Sequence, residues 1–319
     1  MEKSLRVAYG EALARLGDSN PGIVALDADV ANSTMSRLFQ EAHPDRFYNV
    51  GVAEANMAAM AAGFASVGVI PFVNAFGVFL GTIGLLAART YGSYSELGIK
   101  LVGAYAGLSD AFDGPTHHAI EDIAAFRALA NFEVIVASDA AQMDWIVGYA
   151  ASNARPMYIR LSREPMKAKY APGSLFEPHK GRVLRRGNDV ALIACGMMTD
   201  NALEAADKLS CDGIEACVVD MLFIKPIDEA LILACAREAG AIVTCEEHSV
   251  VGGLGSAVAE TLAAKGDVFA PQEFVGMQDT HAESGSYAQL QQKYGLDAQS
   301  IAAAAIRAIE RKNRKKERT

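Results

Sequence analysis

The stretch NVGVAEANMAAMAAGFASVGVIPFVNAFGVFLGTIGLLAA, residues 49–88, decides the fold. It carries one ionisable side chain, Glu54, and no further charge appears until Arg89. About 20 consecutive apolar residues are enough to span a bilayer, so the run is first tested as a membrane segment. Pro71, Asn74, Gly68, Gly77, Gly81 and Gly84 break it into short pieces, which argues against a continuous span. The pieces read instead as an Ala-rich helix, AEANMAAMAAGFASVG, followed by a buried strand in GVIPFVNAF. A run hidden from water without lipid must be covered by protein, in part by another chain. The lone acid at its head raises a second question. A carboxyl group in apolar surroundings resists ionisation, so Glu54 is either an incidental helix-start residue or a group placed to hold a proton.

Outward from this stretch, apolar runs alternate with helical patterns. GIVALDADV, GIKLVGAYAG, FEVIVASD and RPMYIRLS read as strands, and AIEDIAAFRALA as a helix. Strands alternating with helices build a parallel sheet covered by helices on both faces. REPMKAKYAPGSLFEPHKGRVLRRGND then brings three prolines, many charges and little periodicity, the signature of a linker. The alternation restarts with DVALIACG, TDNALEAADKLS, IEACVVDM, DEALILACAREAG, AIVTCEEHS and LGSAVAETLAAKG. The expected organisation is α/β with two doubly wound domains: residues 1–165, a linker over 166–188, and a smaller domain over 189–319. A chain of 319 residues exceeds one typical core, in keeping with that division.

The formal net charge of −9 disfavours nucleic-acid binding, which needs a basic footprint. The one basic run, the C-terminal ERKNRKKERT, reads as a solvated, frayed tail. Cys195, Cys211, Cys217, Cys235 and Cys245 form no CxxC pair and have no zinc-ligand spacing, so no metal site is expected in the chain. With no signal peptide before MEKSLRVAYG, reduced thiols in a cytoplasmic protein are the expectation. GGLGSA, Gly252 to Ala257, lacks the context of a dinucleotide fingerprint, which follows a first strand and has an acid about 20 residues on. A tight turn into a helix explains these glycines more simply.

Three local features carry candidate chemistry. Glu54 lies in GVAEANM, Phe76 and Phe79 stand three apart in FVNAFGVF, and His117 and His118 are adjacent in DGPTHHAIED. Singly, each has a plain reading as a helix cap, core aromatics and surface loop residues. In order and spacing, however, RFYNVGVAEANMAAMAAGFASVGVIPFVNAF, DGPTHHAIED and YIRLSRE resemble the pyrimidine-binding domain of transketolases. VTCEEHSVVGGLGSAVAE and AESGSYAQLQQKYGLD resemble the transketolase C-terminal domain. The resemblance covers nearly the whole chain and is to the C-terminal half of a transketolase made as a separate subunit.

The resemblance implies thiamine diphosphate as cofactor. It places Glu54 on the aminopyrimidine nitrogen N1′, Phe76 and Phe79 against the pyrimidine ring, and Asp29 beside the cofactor. Thr82 takes the place of a further aromatic there. It places His117 on substrate oxygens as the catalytic partner of Glu54, and Arg6, Ser33 and Arg163 on the phosphate of a sugar phosphate. Tyr105, in VGAYAGLSD, stands where the family usually has a substrate-binding histidine, which implies a sugar other than xylulose 5-phosphate. The family binds the diphosphate and its metal with a Gly-Asp-Gly motif and a downstream Asn in its N-terminal half. FDG and CDG here lack the first glycine. The resemblance therefore implies a partner subunit that carries the Mg²⁺ or Ca²⁺ site, and self-association into a heterotetramer with two copies of each chain.

The leading reading is ketol transfer from a ketose phosphate to an aldose. The beta subunit of a 2-oxoacid dehydrogenase shares the domain pattern, but its substrate calls for no sugar-phosphate clamp. A deoxyxylulose-phosphate synthase-like activity also accommodates DGPTHH. A non-catalytic scaffold is the remaining alternative, opposed by the intact Glu54 and His117.

Overall fold

In the computed structural model, which describes residues 3–316, no helix among those residues is long and apolar enough to cross a membrane. The first part of the chain supplies strands β1 (Ile23–Asp27), β2 (Phe47–Asn49), β3 (Ile70–Phe76), β4 (Lys100–Ala104), β5 (Glu133–Val136) and β6 (Met157–Arg160). The second supplies β7 (Arg182–Arg185), β8 (Val190–Ala194), β9 (Ala216–Asp220), β10 (Phe223–Lys225), β11 (Ile242–Ser249) and β12 (Gln272–Met277). The first sheet has the order β10-β5-β6-β4-β3-β1-β2, and the second β12-β11-β8-β9-β7. Pairing is parallel except at one edge of each, where β10 lies antiparallel to β5 and β7 antiparallel to β9. Two α/β layers with largely parallel sheets are thus present, as the alternation of runs implies.

The quoted stretch forms the middle of the first sheet and its cover. The helix α2 (Glu54–Ser66), which follows α1 (Leu5–Ser19), buries Met57, Ala58, Ala61 and Ala62. Its small side chains let it lie close on β3, whose Phe72, Val73 and Ala75 are fully buried. Asn74, in the same strand, is a buried polar group and is satisfied. Its amide donates to the Leu26 carbonyl and its oxygen accepts from the Tyr9 hydroxyl. The end of the run stays open to solvent: Leu86 is 72% and Tyr94, just beyond it, 85% exposed.

Four strands lie outside the apolar runs read above. β2 and β10 are three residues each, and β7 and β12 are edge strands with polar, half-exposed faces. An edge strand needs little hydrophobic signal, so pattern alone passes over it. β7 falls inside the segment expected to be a linker, and β10 crosses back to complete the first sheet. The last helix continues to Lys316, through residues expected to fray; residues 317–319 of that tail lie outside the described residues.

A buried polar cluster joins the two parts. Arg160, at the end of β6, donates from Nε to Asp122 Oδ2 (2.7 Å) and from Nη2 to the carbonyls of Ala119 (2.8 Å) and Glu247 (2.9 Å). Tyr158 donates to the same Asp122 oxygen at 2.6 Å. His248, on β11, sits 4.0 Å from Asp122 Oδ1, and its Nε2 accepts the Ala124 N–H. Burial pushes Glu246 and Glu247 up to about 7 and His248 down to about 4. Gly107 is required here: its φ is +62°, and a Cβ would lie 2.3 Å from the Glu247 carboxyl.

The GGLGSA turn opens the helix Leu254–Lys265. Glu246 accepts the N–H groups of Leu254 (2.7 Å) and Gly255 (2.8 Å). The anion that a helix start attracts is therefore supplied by the chain itself, and a Cβ on Gly253 would strike that carboxylate.

Candidate active site

In a doubly wound sheet, ligands bind beyond the carboxyl ends of the strands, where the strand order reverses. In the first sheet that reversal lies between β1 and β3. The candidate residues follow strand ends at this place. Asp29 comes after β1, Glu54 after β2, Phe76 at the end of β3, Tyr105 after β4 and Arg163 after β6.

The loop after β1 is shaped by Asp27, buried at the strand end. Its carboxylate accepts from the Val30 N–H (2.6 Å) and from the hydroxyls of Thr34 (2.9 Å) and Ser36 (2.8 Å). Asp29 within this loop has φ +64°, a conformation that Asp tolerates, and accepts from the Asn49 amide at 2.7 Å. The same loop presents Ser33 to Arg6 of α1. Arg6 Nη1 donates to the Ser33 backbone carbonyl, not to its hydroxyl.

Tyr105 is the hub of the site. Its hydroxyl accepts from Arg6 Nη1 at 3.1 Å, and the guanidinium carbons of Arg6 and Arg163 lie 4.7 Å and 5.2 Å from its ring centroid. Such contacts hold cations over an aromatic face. The Phe76 ring stands 4.5 Å from the Tyr105 ring and 6.0 Å from Phe79, to which it is nearly parallel at 23°. The His117 ring meets Phe76 and Phe79 edge-on at 5.9 Å and 5.4 Å, and its Nδ1 is 3.0 Å from the Thr116 hydroxyl.

Seven residues singled out in the sequence, Arg6, Ser33, Phe76, Phe79, Tyr105, His117 and Arg163, thus form one connected group. Glu54, Asp29 and Thr82 do not touch it through any hydrogen bond or ring contact among the described residues. The Thr82 hydroxyl is spent on the Val78 carbonyl at 2.7 Å. Glu54 begins α2, which packs on β3, and is 5% exposed. Its side chain caps nothing and has no hydrogen-bond partner among the described residues. No cap hydrogen bond therefore supports the helix-cap reading, and the carboxyl of this largely buried residue keeps its hydrogen-bonding capacity unspent.

Two polar residues of the site, Asp110 and Asp113, are ones that sequence reasoning passed over. Asp110, fully buried, accepts from Arg163 Nη1 at 3.0 Å, and its Oδ2 has no partner. Burial first, then the neighbouring Asp113 carboxyl, push Asp110 up to about 6. His118 is buried with both ring nitrogens unpartnered, and burial lowers its pKa. Burial, and behind it the charge of Arg163, also draws the Arg6 guanidinium below its ordinary value, and Arg6 Nε is buried without a partner. The available signal was the density of ionisable groups in LSDAFDGPTHH.

Comparison with known proteins bears on this geometry. The transketolase pyrimidine-binding domain model matches residues 1–168, and the transketolase C-terminal domain model matches residues 179–301. A solved structure described as a split gene transketolase, inactive beta4 tetramer, is 45% identical with TM-score 0.87, covering 96% of this chain and 98% of its own. A protein of Methanocaldococcus jannaschii provisionally named a transketolase C-terminal section is 38% identical over 302 residues, 94% of each chain. A Clostridium protein named as the SqwH subunit of a 6-deoxy-6-sulfo-D-fructose transketolase is 37% identical over 312 residues, 98% of this chain and 96% of that one.

Proposed function

We infer the function from this premise: the chain belongs to the transketolase family, as the part that holds its pyrimidine-binding and C-terminal domains. We propose that it is the C-terminal subunit of a two-chain, thiamine-diphosphate-dependent transketolase. It would move a two-carbon ketol unit from a ketose with an anionic terminal group, such as a phosphate, to an aldose. The observation that carries this reading is the convergence of Arg6, Tyr105, Arg163, His117, Phe76 and Phe79 at the strand-order reversal. A 2-oxoacid site would have no use for two guanidiniums stacked on one tyrosine. The proposed division of the chain is 1–165, 166–188 and 189–319, with β10 reaching back across it.

The residues fit the pyrimidine end of the cofactor. An unpartnered carboxyl on a residue only 5% exposed suits a ring nitrogen that needs a partner, and the near-parallel faces of Phe76 and Phe79 suit a planar ring. Bound thiamine diphosphate supplies the nucleophilic carbon for breaking and remaking the ketose carbon–carbon bond. Glu54 would hold a proton against ring nitrogen N1′, and Phe76 and Phe79 would fix the ring's plane. Asp29 would lie beside the cofactor and Thr82 at its margin. His117 would move protons on substrate oxygens. Arg6, Arg163 and the Ser33 loop would fix the terminal anion by charge-assisted bonds, and Tyr105 would set how much of the pocket the sugar can fill.

Nothing in the sequence supplies the Gly-Asp-Gly motif. We therefore assign the diphosphate and its Mg²⁺ or Ca²⁺ to an N-terminal partner subunit. The exposed Val52, Ile83, Leu86 and Tyr94 are the surface we assign to subunit association. The related split-gene protein is described as an inactive tetramer of one chain, and we expect the same of this chain alone. The Clostridium relative's name adds a specific second donor class, a sulfonated ketose.

The test is reconstitution. The purified chain alone should bind thiamine diphosphate weakly by calorimetry and transfer no ketol unit. Adding an N-terminal transketolase section with the Gly-Asp-Gly motif should restore both. Tight, metal-dependent cofactor binding by this chain alone would refute the division of labour.

A further inference from the structure

The anion clamp is less positive than its two arginines imply. Arg163 is tied to the buried Asp110 at 3.0 Å. Asp113, His117 and His118 are further titratable neighbours of Asp110, and Glu164 acts with Asp110 on Arg6. Two carboxylates, Asp110 and Glu164, therefore act on two guanidiniums, and Asp113 stands behind Asp110. Arg6 Nε and Asp110 Oδ2 are both buried without a hydrogen-bond partner, so the clamp holds an unspent donor and an unspent acceptor. We propose that Asp110 is a specificity residue that tunes this clamp to a singly charged terminal group, a sulfonate, in preference to a doubly charged phosphate. This deepens the transketolase reading above and rests on it.

The physical reason is a difference in scaling. Attraction of an anion to the clamp grows linearly with the anion's charge. The cost of removing it from water grows roughly with the square of that charge, because solvation is a self-energy. In a strongly cationic pocket the linear term wins and the dianion binds better. Where carboxylates cancel most of the field, the desolvation term decides and the monoanion is favoured. A sulfonate keeps three acceptor oxygens for Arg6 and Arg163, so the hydrogen-bond geometry is retained at half the charge. Asp110 titrates at about 6, close to the second ionisation of a phosphate monoester, also about 6. Above that pH the phosphate is doubly charged and faces an ionised Asp110.

The test uses the full chain and two small probes, glycerol 3-phosphate and 2,3-dihydroxypropane-1-sulfonate, titrated by NMR at pH 8. The sulfonate is expected to bind on the order of tenfold more tightly. Asp110→Asn should move that ratio by about tenfold toward the phosphate. Should that variant not fold, the wild type gives a second reading. Lowering the pH from 8 to 5.5 protonates both Asp110 and the phosphate, so the ratio should approach one. A wild type that prefers the phosphate, a ratio indifferent to Asp110→Asn, or a ratio indifferent to pH overturns the proposal alone. Affinities unaffected by Arg6→Ala, or no binding of either probe, overturn the clamp reading and this inference with it.

Discussion

Arg160 and Arg163 lie at and just beyond the end of one strand, each paired with an aspartate and each beside a tyrosine and a histidine. Arg160 has Asp122, Tyr158 and His248; Arg163 has Asp110, Tyr105 and His117. The residue types are the same and the surroundings differ. The Arg160 side chain is 4% exposed and gives its donors to fixed acceptors from both halves of the molecule. The Arg163 side chain is 40% exposed and makes one side-chain hydrogen bond among the described residues, leaving its other donors unspent, as the proposed anion clamp requires. Composition does not separate a structural cluster from a binding one. The bonding capacity left unspent, and a path to it, do.

The largest effect that could break this comparison is on stability. Arg160→Ala should destabilise the chain by about 3–5 kcal/mol in chemical denaturation, because it strands a buried Asp122. Arg163→Ala should cost less, since the Arg163 side chain is 40% exposed and the Asp110 it leaves, already pushed up to about 6, can take up a proton, yet remove anion binding. Equal losses at the two sites would erase the distinction. Next comes turnover. Glu54→Gln keeps shape but holds no transferable proton, so kcat of the reconstituted enzyme should fall on the order of 10²-fold with the melting temperature unchanged. Near wild-type turnover at saturating cofactor would end its assignment.

A smaller effect concerns pH. Glu246 and Glu247 bind protons more tightly folded than unfolded, so stability falls as pH rises from about 4.3, the unfolded value, toward about 7. His248, held near 4, works the opposite way between about 4 and 6.5. Two groups outweigh one, so denaturation midpoints should be lower at pH 8 than at pH 5, and Glu247→Gln should flatten the slope. A midpoint that climbs over this interval would contradict the assignment. The smallest expected effect is at Tyr105. Tyr105→His adds a titratable donor in less space and should move donor preference a few-fold toward xylulose 5-phosphate, read as kcat/KM ratios. If the wild type already prefers that sugar and the variant is only impaired, Tyr105 is a tolerated replacement.

The fold was legible where burial was two-sided. β1 and β8 are nearly continuous apolar runs and β3 is one broken only by Asn74, each bounded by helical patterns. The edge strands β7 and β10 were hidden because an edge is written in hydrogen bonds, which carry no side-chain signature. At the candidate site, the isolation of Glu54 in its uncharged run and the Tyr105 departure from the family motif were visible in the sequence. The pairing of Asp110 with Arg163 joins residues 53 positions apart. Its consequence, a neutralised arginine, depends on burial that one sequence does not display. The GGLGSA turn shows the reverse case, since the plain reading of its glycines holds and Glu246 explains why.

Strand β10 carries a consequence for synthesis. Chains leave the ribosome from the N-terminus, and early domains tend to fold as units before the rest has been made. Here the first sheet lacks its last strand until Phe223–Lys225 has emerged, well after β6. Until then β5 presents an open edge, the kind of template on which a neighbouring nascent chain can pair. Lys225 closes that interval by donating to the Arg127 carbonyl at 2.9 Å, and to that of Leu129. A pause in translation before residue 223 would prolong the exposure, whereas one placed after it would find the first sheet already sealed.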